Sequence, residues 1–126
     1  MDDEVIILKV TTKLLSHLGY SVITARSGEE VLKIYSESLT SNDTIDCIIL
    51  DLTIPAGMGG KETMAELQKI NAGVKVIVSS GYSNDPIMAR YKEFGFSSVI
   101  SKPYDINDLN DVIQSVMHAE VPQSLP

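Results

Sequence analysis

The chain has one cysteine, Cys47, no tryptophan and two phenylalanines among its 126 residues. A single thiol excludes an internal disulfide framework and a cysteine-built zinc cage. Without tryptophan, and with few aromatics, a flavin-stacking site is disfavoured. Basic residues are also scarce: ten Lys and Arg stand against 17 Asp and Glu, for a net charge of −7. A nucleic-acid binder normally presents a basic patch, so that class is disfavoured too. Apolar runs such as Val5–Leu8 and Ile48–Leu50 fall far short of the roughly 20 residues that span a bilayer. No basic segment precedes an apolar one in the manner of a secretory signal, and no repeat or low-complexity tract occurs. These absences leave a soluble, acidic domain expected in the cytoplasm, with no membrane or nucleic-acid partner. Its length corresponds to about one domain. A domain of this size buries roughly two-thirds of its unfolded surface, so it needs neither a disulfide nor a metal to fold.

What is present is an alternation of β-rich and helical stretches. Ser21–Ala25, Ile45–Asp51, Val74–Ser79 and Ser98–Ser101 are short, apolar and β-branched, and the second is nearly continuous, as in a strand covered on both faces. Between them lie helices with recognisable starts. Ser27 and Glu30 form a capping box before Val31, Leu32, Ile34 and Tyr35. Gly59-Gly60 opens a helix carrying Met64, Leu67 and Ile70, closed by Asn71–Gly73. Asp85-Pro86 starts a helix running to Phe94, with Gly95 as its C-cap. Asp105 and Asp108 open a last helix with Ile106, Leu109, Val112, Ile113, Val116 and Met117. Such alternation predicts a doubly wound α/β fold, a parallel sheet with helices on both faces. The first segment is ambiguous. Asp3–Leu18 reads as a helix burying Ile6, Ile7, Val10, Leu14, Leu15 and Leu18, while Val5–Val10 is also β-prone, and periodicity alone does not separate the two. The expected domain spans residues 1–120, with 121–126 as a tail.

Ligands of open parallel sheets sit at the carboxyl ends of the strands. There the sequence supplies Asp51, Ser79-Ser80-Gly81 and Lys102-Pro103, with Asp2, Asp3 and Glu4 near the N-terminus. Crowded carboxylates call for a hard cation, and Mg²⁺ favours a few carboxylates plus waters. A lysine and a hydroxyl beside them suit the oxygens of a phosphoryl group.

At these positions the sequence resembles the receiver domains of two-component signalling, in particular those at the C-termini of hybrid histidine kinases. The matching pieces are Met1-Asp-Asp-Glu4, Leu18-Gly-Tyr20, Ile48–Pro55, Gly57-Met-Gly-Gly60, Val78-Ser-Ser-Gly-Tyr82 and Ser101-Lys-Pro-Tyr104, in the family's order along nearly the whole chain. The resemblance implies a flavodoxin-type sheet of order 2-1-3-4-5. It implies a phosphorelay module rather than an enzyme, catalysing only its own phosphoryl transfer and autodephosphorylation. Asp51 matches the aspartate phosphorylated by a histidine kinase, which could lie in the same polypeptide. Asp2 and Asp3 match the Mg²⁺-binding pair, with Asp3 as the direct ligand and Asp2 acting through water. Asp51 and the carbonyl of Thr53 complete the metal set. Ser80 matches the switch hydroxyl and Lys102 the phosphoryl-binding lysine, followed by a cis Pro103.

Three departures accompany the match. The family carries an apolar central strand just before the acidic pair. Here the sequence starts at Met1, so either it is truncated or another segment fills the gap, and two copies could pair across the incomplete sheet. Val99 stands where many receivers have the switch aromatic. The loop after Asp51 is about one residue longer than the commonest form. Plainer readings remain for each residue: Asp51 as a solvated strand end, Asp2–Glu4 as a helix cap, Lys102 as a loop lysine, Ser80 as a strand terminus. Other functions also remain. A phosphorylation-independent pseudo-receiver fits the same residues. A haloacid-dehalogenase-type phosphatase would want an acid where Thr53 stands, and a small flavodoxin-like binder would want aromatics for its flavin.

Overall fold

The structure, a computed structural model, describes residues 1–52, 58–81 and 85–118. In chain order the elements are α1 (Val5–His17), α2 (Gly28–Ser38), β1 (Ile48–Asp51), α3 (Gly60–Ile70), β2 (Val76–Ser80), α4 (Pro86–Ala89), a 3₁₀ turn (Tyr91–Phe94), β3 (Ser98–Ser101) and α5 (Ile106–Met117). The three strands form one parallel sheet in the order β1-β2-β3.

Alternation along the strands divides the core between the two faces. Leu50, Val76 and Val78 point to one face, where α2, α3 and α4 bring Val31, Tyr35, Met64, Leu67 and Met88. Ile49 and Ile77 point to the other, against Ile100 and the α5 residues Leu109, Ile113 and Val116, with Leu14 and Leu15 of α1 at its edge. The doubly wound α/β architecture is therefore present, with helices on both faces.

Local signals behave as the sequence suggests. Ser27 Oγ accepts from the Glu30 N–H, and Glu30 reaches back to the Arg26 N–H at 2.7 Å. Asp85 and Asp105 cap α4 and α5 through the N–H groups of Ile87 and Asn107. Gly95 adopts φ 94°, a left-handed conformation that glycine takes without a Cβ penalty. Gly60 is required for a different reason. A Cβ there would lie 2.9 Å from the Asp51 carbonyl oxygen, so only glycine lets α3 start this close to the end of β1.

Three expectations are corrected. Val5–Val10 is helical, which resolves the ambiguity in favour of α1, yet no residue of α1 is fully buried, and Ile6 and Val10 are exposed. Ser21–Ala25 is not a strand. A strand exists by pairing, and among the described residues the place beside it is held by Met1 and Asp2. The Met1 amino group donates to the Ile49 carbonyl at 2.6 Å, the Asp51 N–H donates to the Met1 carbonyl at 3.0 Å, and the Asp2 N–H donates to the Ala25 carbonyl at 3.1 Å. The observed sheet thus supplies the last three strands of the expected order 2-1-3-4-5. Finally, the helix expected from Asp85 to Phe94 breaks at Arg90 into α4 and the 3₁₀ turn. The expected tail at 121–126 lies outside the described residues, as do Thr53 and Gly57.

Candidate functional site

Three strand ends and the N-terminal segment meet at one edge of the sheet. Asp51 is the last residue of β1 and is 1% exposed. Its position follows from Leu50 packing into the core and from the Met1 carbonyl bonded to its N–H. Asp2 is 3% exposed, buried more deeply than Asp3, and its Oδ1 accepts from the Glu4 N–H at the entry to α1. Asp2 is thus both a helix-entry residue and a member of the pocket. Ser80, fully buried, ends β2, and its carbonyl accepts from the Lys102 N–H at 3.0 Å. That bond fixes the point at which the chain leaves β3 and turns Lys102 inward, before a cis bond to Pro103.

The Lys102 ammonium bridges the two acids. Nζ lies 2.7 Å from Asp2 Oδ2 and 3.2 Å from Asp51 Oδ1. Burial alone would lower the lysine's pKa, but its contacts with Asp2 and Asp51 outweigh that and hold it above the ordinary value, so it is a permanent cation. The residues expected to converge, Asp2, Asp51, Ser80 and Lys102, do converge. Asp3 is half-buried and its carbonyl accepts a long bond from Arg26. The carboxylates of Asp2, Asp3 and Glu4 bring one oxygen each within 4.8 Å of one another. Asp2 Oδ2 is buried and paired with the Lys102 ammonium at 2.7 Å. An all-oxygen donor set with such an atom fits a hard divalent cation of the Mg²⁺ type.

Val99 lies on β3 opposite Val78 and packs against the core, so no aromatic hydroxyl is available at that position. A different hydroxyl pair escaped the sequence reading. Tyr104 OH and Ser79 Oγ are 2.6 Å apart, joining the segment after Pro103 to the carboxyl end of β2. Burial raises the Tyr104 pKa, so the phenol stays protonated. The sequence signal was Tyr104 directly after Lys102-Pro103, but nothing local pairs it with Ser79.

A family model described as the response regulator receiver domain matches residues 1–114. The chain belongs to the receiver family. Transcriptional regulatory protein GlrR of Escherichia coli (strain K12) is 30% identical over 122 residues, covering 97% of this receiver and 26% of GlrR. The receiver thus spans about a quarter of that relative's length. A solved response regulator receiver domain protein from Clostridium thermocellum superposes with a TM-score of 0.82 at 29% identity, covering 92% of this chain and 89% of that one. A CheX–CheY–BeF3–Mg complex from Borrelia burgdorferi gives a TM-score of 0.82 at 27% identity, covering 91% and 84%. The receiver fold carries two-component signalling modules that are in general not enzymes in their own right. Among the described residues no helix is long and apolar enough to cross a membrane.

Proposed function

We propose that this receiver is a phosphoacceptor switch, taking a phosphoryl group from a histidine kinase onto Asp51. The observation that carries the reading is the pairing of a buried strand-end carboxylate with a buried lysine, Asp51 Oδ1 to Lys102 Nζ at 3.2 Å. A carboxylate oxygen held in this way can attack phosphorus in line, while the P–N bond to the donor imidazole breaks. Lys102 neutralises charge on the group as it arrives, and to do so it exchanges its contact with Asp2 for one with a phosphoryl oxygen. Ser80, at the end of the neighbouring strand, is the hydroxyl that would accompany the new group. Asp2, Asp3 and Asp51, with the Thr53 carbonyl outside the described residues, would hold Mg²⁺. When bound, the ion supplies Lewis-acid charge neutralisation at the transferring oxygens.

The burial of Asp2 favours it over Asp3 as the inner carboxylate, the reverse of the order implied by the resemblance. The test is labelling with acetyl phosphate, with and without Mg²⁺. Label should map to Asp51 and vanish in Asp51→Asn. Removing Asp2 or Asp3 should weaken Mg²⁺ dependence more than removing the exposed Glu4. Label that survives in Asp51→Asn would refute the assignment, and an unlabelled wild-type chain would favour the phosphorylation-independent module.

A further inference from the structure

Lys102 sits between two ties to β2. On one side its own N–H donates to the Ser80 carbonyl at 3.0 Å. On the other, two residues on, the Tyr104 hydroxyl is 2.6 Å from Ser79 Oγ. Strand alternation explains why this second tie uses Ser79 and not Ser80. Ser79 leaves the sheet on the face of Ile77, where the Tyr104 ring packs against the α5 cluster, whereas Ser80 leaves on the face of Val78. Ser79 is also the register partner of Asp51, and its carbonyl accepts from the Leu52 N–H at 2.8 Å. One residue of β2 therefore links the backbone that carries the lysine to the strand end that carries the carboxylate it faces.

We propose that Tyr104 is a positioning residue for Lys102: held by Ser79, its hydroxyl fixes the root of the lysine, so that the ammonium passes from Asp2 to an arriving phosphoryl oxygen by side-chain rotation alone. The phosphoryl step rests on the reading of Asp51 as phosphoacceptor, and the resting contacts stand without it. Three observations favour positioning over the mere pairing of two buried hydroxyls. The ties land on consecutive residues of β2 and bracket Lys102. Residue 103, between them, is a proline with no N–H to give the sheet, so a tie on that side has to come from a side chain. The charges of Lys102, Asp2 and Asp51 all act on the phenol, which sets the hydroxyl beside the group it serves. A misplacement of about 1 Å in such a group costs up to about a hundredfold in rate, so a short bond at the root of the lysine has leverage on the chemistry.

The test uses the 126-residue chain, Tyr104→Phe, Ser79→Ala and their double variant, with two readouts. Phenylalanine keeps the packed ring and removes only the hydroxyl. The first readout needs no phosphoryl donor. Hydrogen exchange of the Lys102 ammonium, followed by nitrogen NMR in cold, mildly acidic buffer, reports how firmly Asp2 and Asp51 hold it. Exchange should quicken about fivefold or more in Tyr104→Phe, the order of one lost hydrogen bond. The Lys75 ammonium, bonded to the Met117 carbonyl at the far end of α5, is the internal control and should not change. The second readout is the initial rate of acetyl-phosphate labelling with Mg²⁺. It should fall about tenfold or more in each single variant, and the double variant should be no slower, because both substitutions remove the same bond. Unchanged Lys102 exchange in Tyr104→Phe would overturn the proposal. So would equal quickening at Lys75, which would mean a general loosening of α5, or labelling of Tyr104→Phe at the wild-type rate. A wild-type chain that takes no label, with Lys102 exchange still quickened in Tyr104→Phe alone, would refute the phosphoacceptor reading and support the tie.

Discussion

Replacing Lys102 with methionine removes the cation and keeps most of the side chain's length. In the resting receiver that ammonium is 2.7 Å from Asp2 and 3.2 Å from Asp51, whose side chains are 4% and 2% exposed. At an effective dielectric of about 20 these contacts are worth roughly 6 and 5 kcal/mol of gross attraction. Much of that offsets the cost of drawing three charges out of water. The relevant quantity is the penalty for removing the lysine's charge from beside two buried carboxylates, about 3–5 kcal/mol when one partner of a buried pair is removed. Total stability of such domains is about 5–15 kcal/mol, so Lys102→Met should lose about a fifth or more of it. Urea denaturation followed by far-ultraviolet circular dichroism, in buffer containing a metal chelator, should show a lower midpoint at an unchanged slope. Adding Asp51→Asn should recover at least about 1 kcal/mol, since the neutral amide removes one of the stranded charges. A loss below about 1 kcal/mol would match an exposed ion pair and refute the reasoning, since it would mean that water reaches the pocket and screens both acids.

Further expectations follow from other contacts. Because the folded-state pKa of Lys102 is raised, its contribution to stability should be fully present below the ordinary lysine value of 10.5 and be lost as pH rises through the folded value. The stability gap between wild type and Lys102→Met should therefore stay flat from neutral pH and close only at strongly alkaline pH in paired urea titrations. Gly60→Ala would set a Cβ 2.9 Å from the Asp51 carbonyl oxygen and 3.1 Å from Leu52 Cα. It should cost about 1–3 kcal/mol in the same assay and slow acetyl-phosphate labelling by shifting the end of β1. Burial raises the Cys47 thiol to about 11 from an ordinary 9.0. At pH 8 its thiolate fraction is then roughly a hundredfold below that of a free thiol, so iodoacetamide should modify the folded chain about that much more slowly than the urea-unfolded one. Equal rates would refute the burial of the Cys47 thiol.

The parts of the fold legible in the sequence are those that local chemistry decides. The caps at Ser27, Asp85 and Asp105 need a side chain to reach only two or three residues along, and all three form. β2 and β3 are legible because their flanking neighbours lie next in the chain. Ser21–Ala25 has the composition of a strand, but its state depends on what lies beside it, which no local pattern encodes. The exposed face of α1 failed for a related reason: helical periodicity says which residues share a face, not whether a sheet stands opposite. The site was legible through a rule about strand ends, which correctly gathered Asp51, Ser80 and Lys102. The Ser79–Tyr104 bond was not, since two hydroxyls 25 residues apart carry no mutual signal.

The strand order β1-β2-β3 follows the order of the chain, and each crossover returns to the neighbouring position. Closing those contacts spans 28 residues from Ile48 to Val76 and 21 from Ile77 to Ser98. The contact that completes the acidic pocket is of another kind: the Met1 amino group reaches Ile49 across 48 residues, and Asp2 meets Lys102 from the opposite end of the chain. Loop-closure entropy makes such pairings late events in folding. A nascent receiver whose sheet and α5 have formed would hold Asp51 and Lys102 in place before Asp2 arrives. On the proposed function, competence to bind a metal and accept phosphate would then be the last property acquired, and a refolding experiment that times both should find labelling appearing after the far-ultraviolet signal is complete.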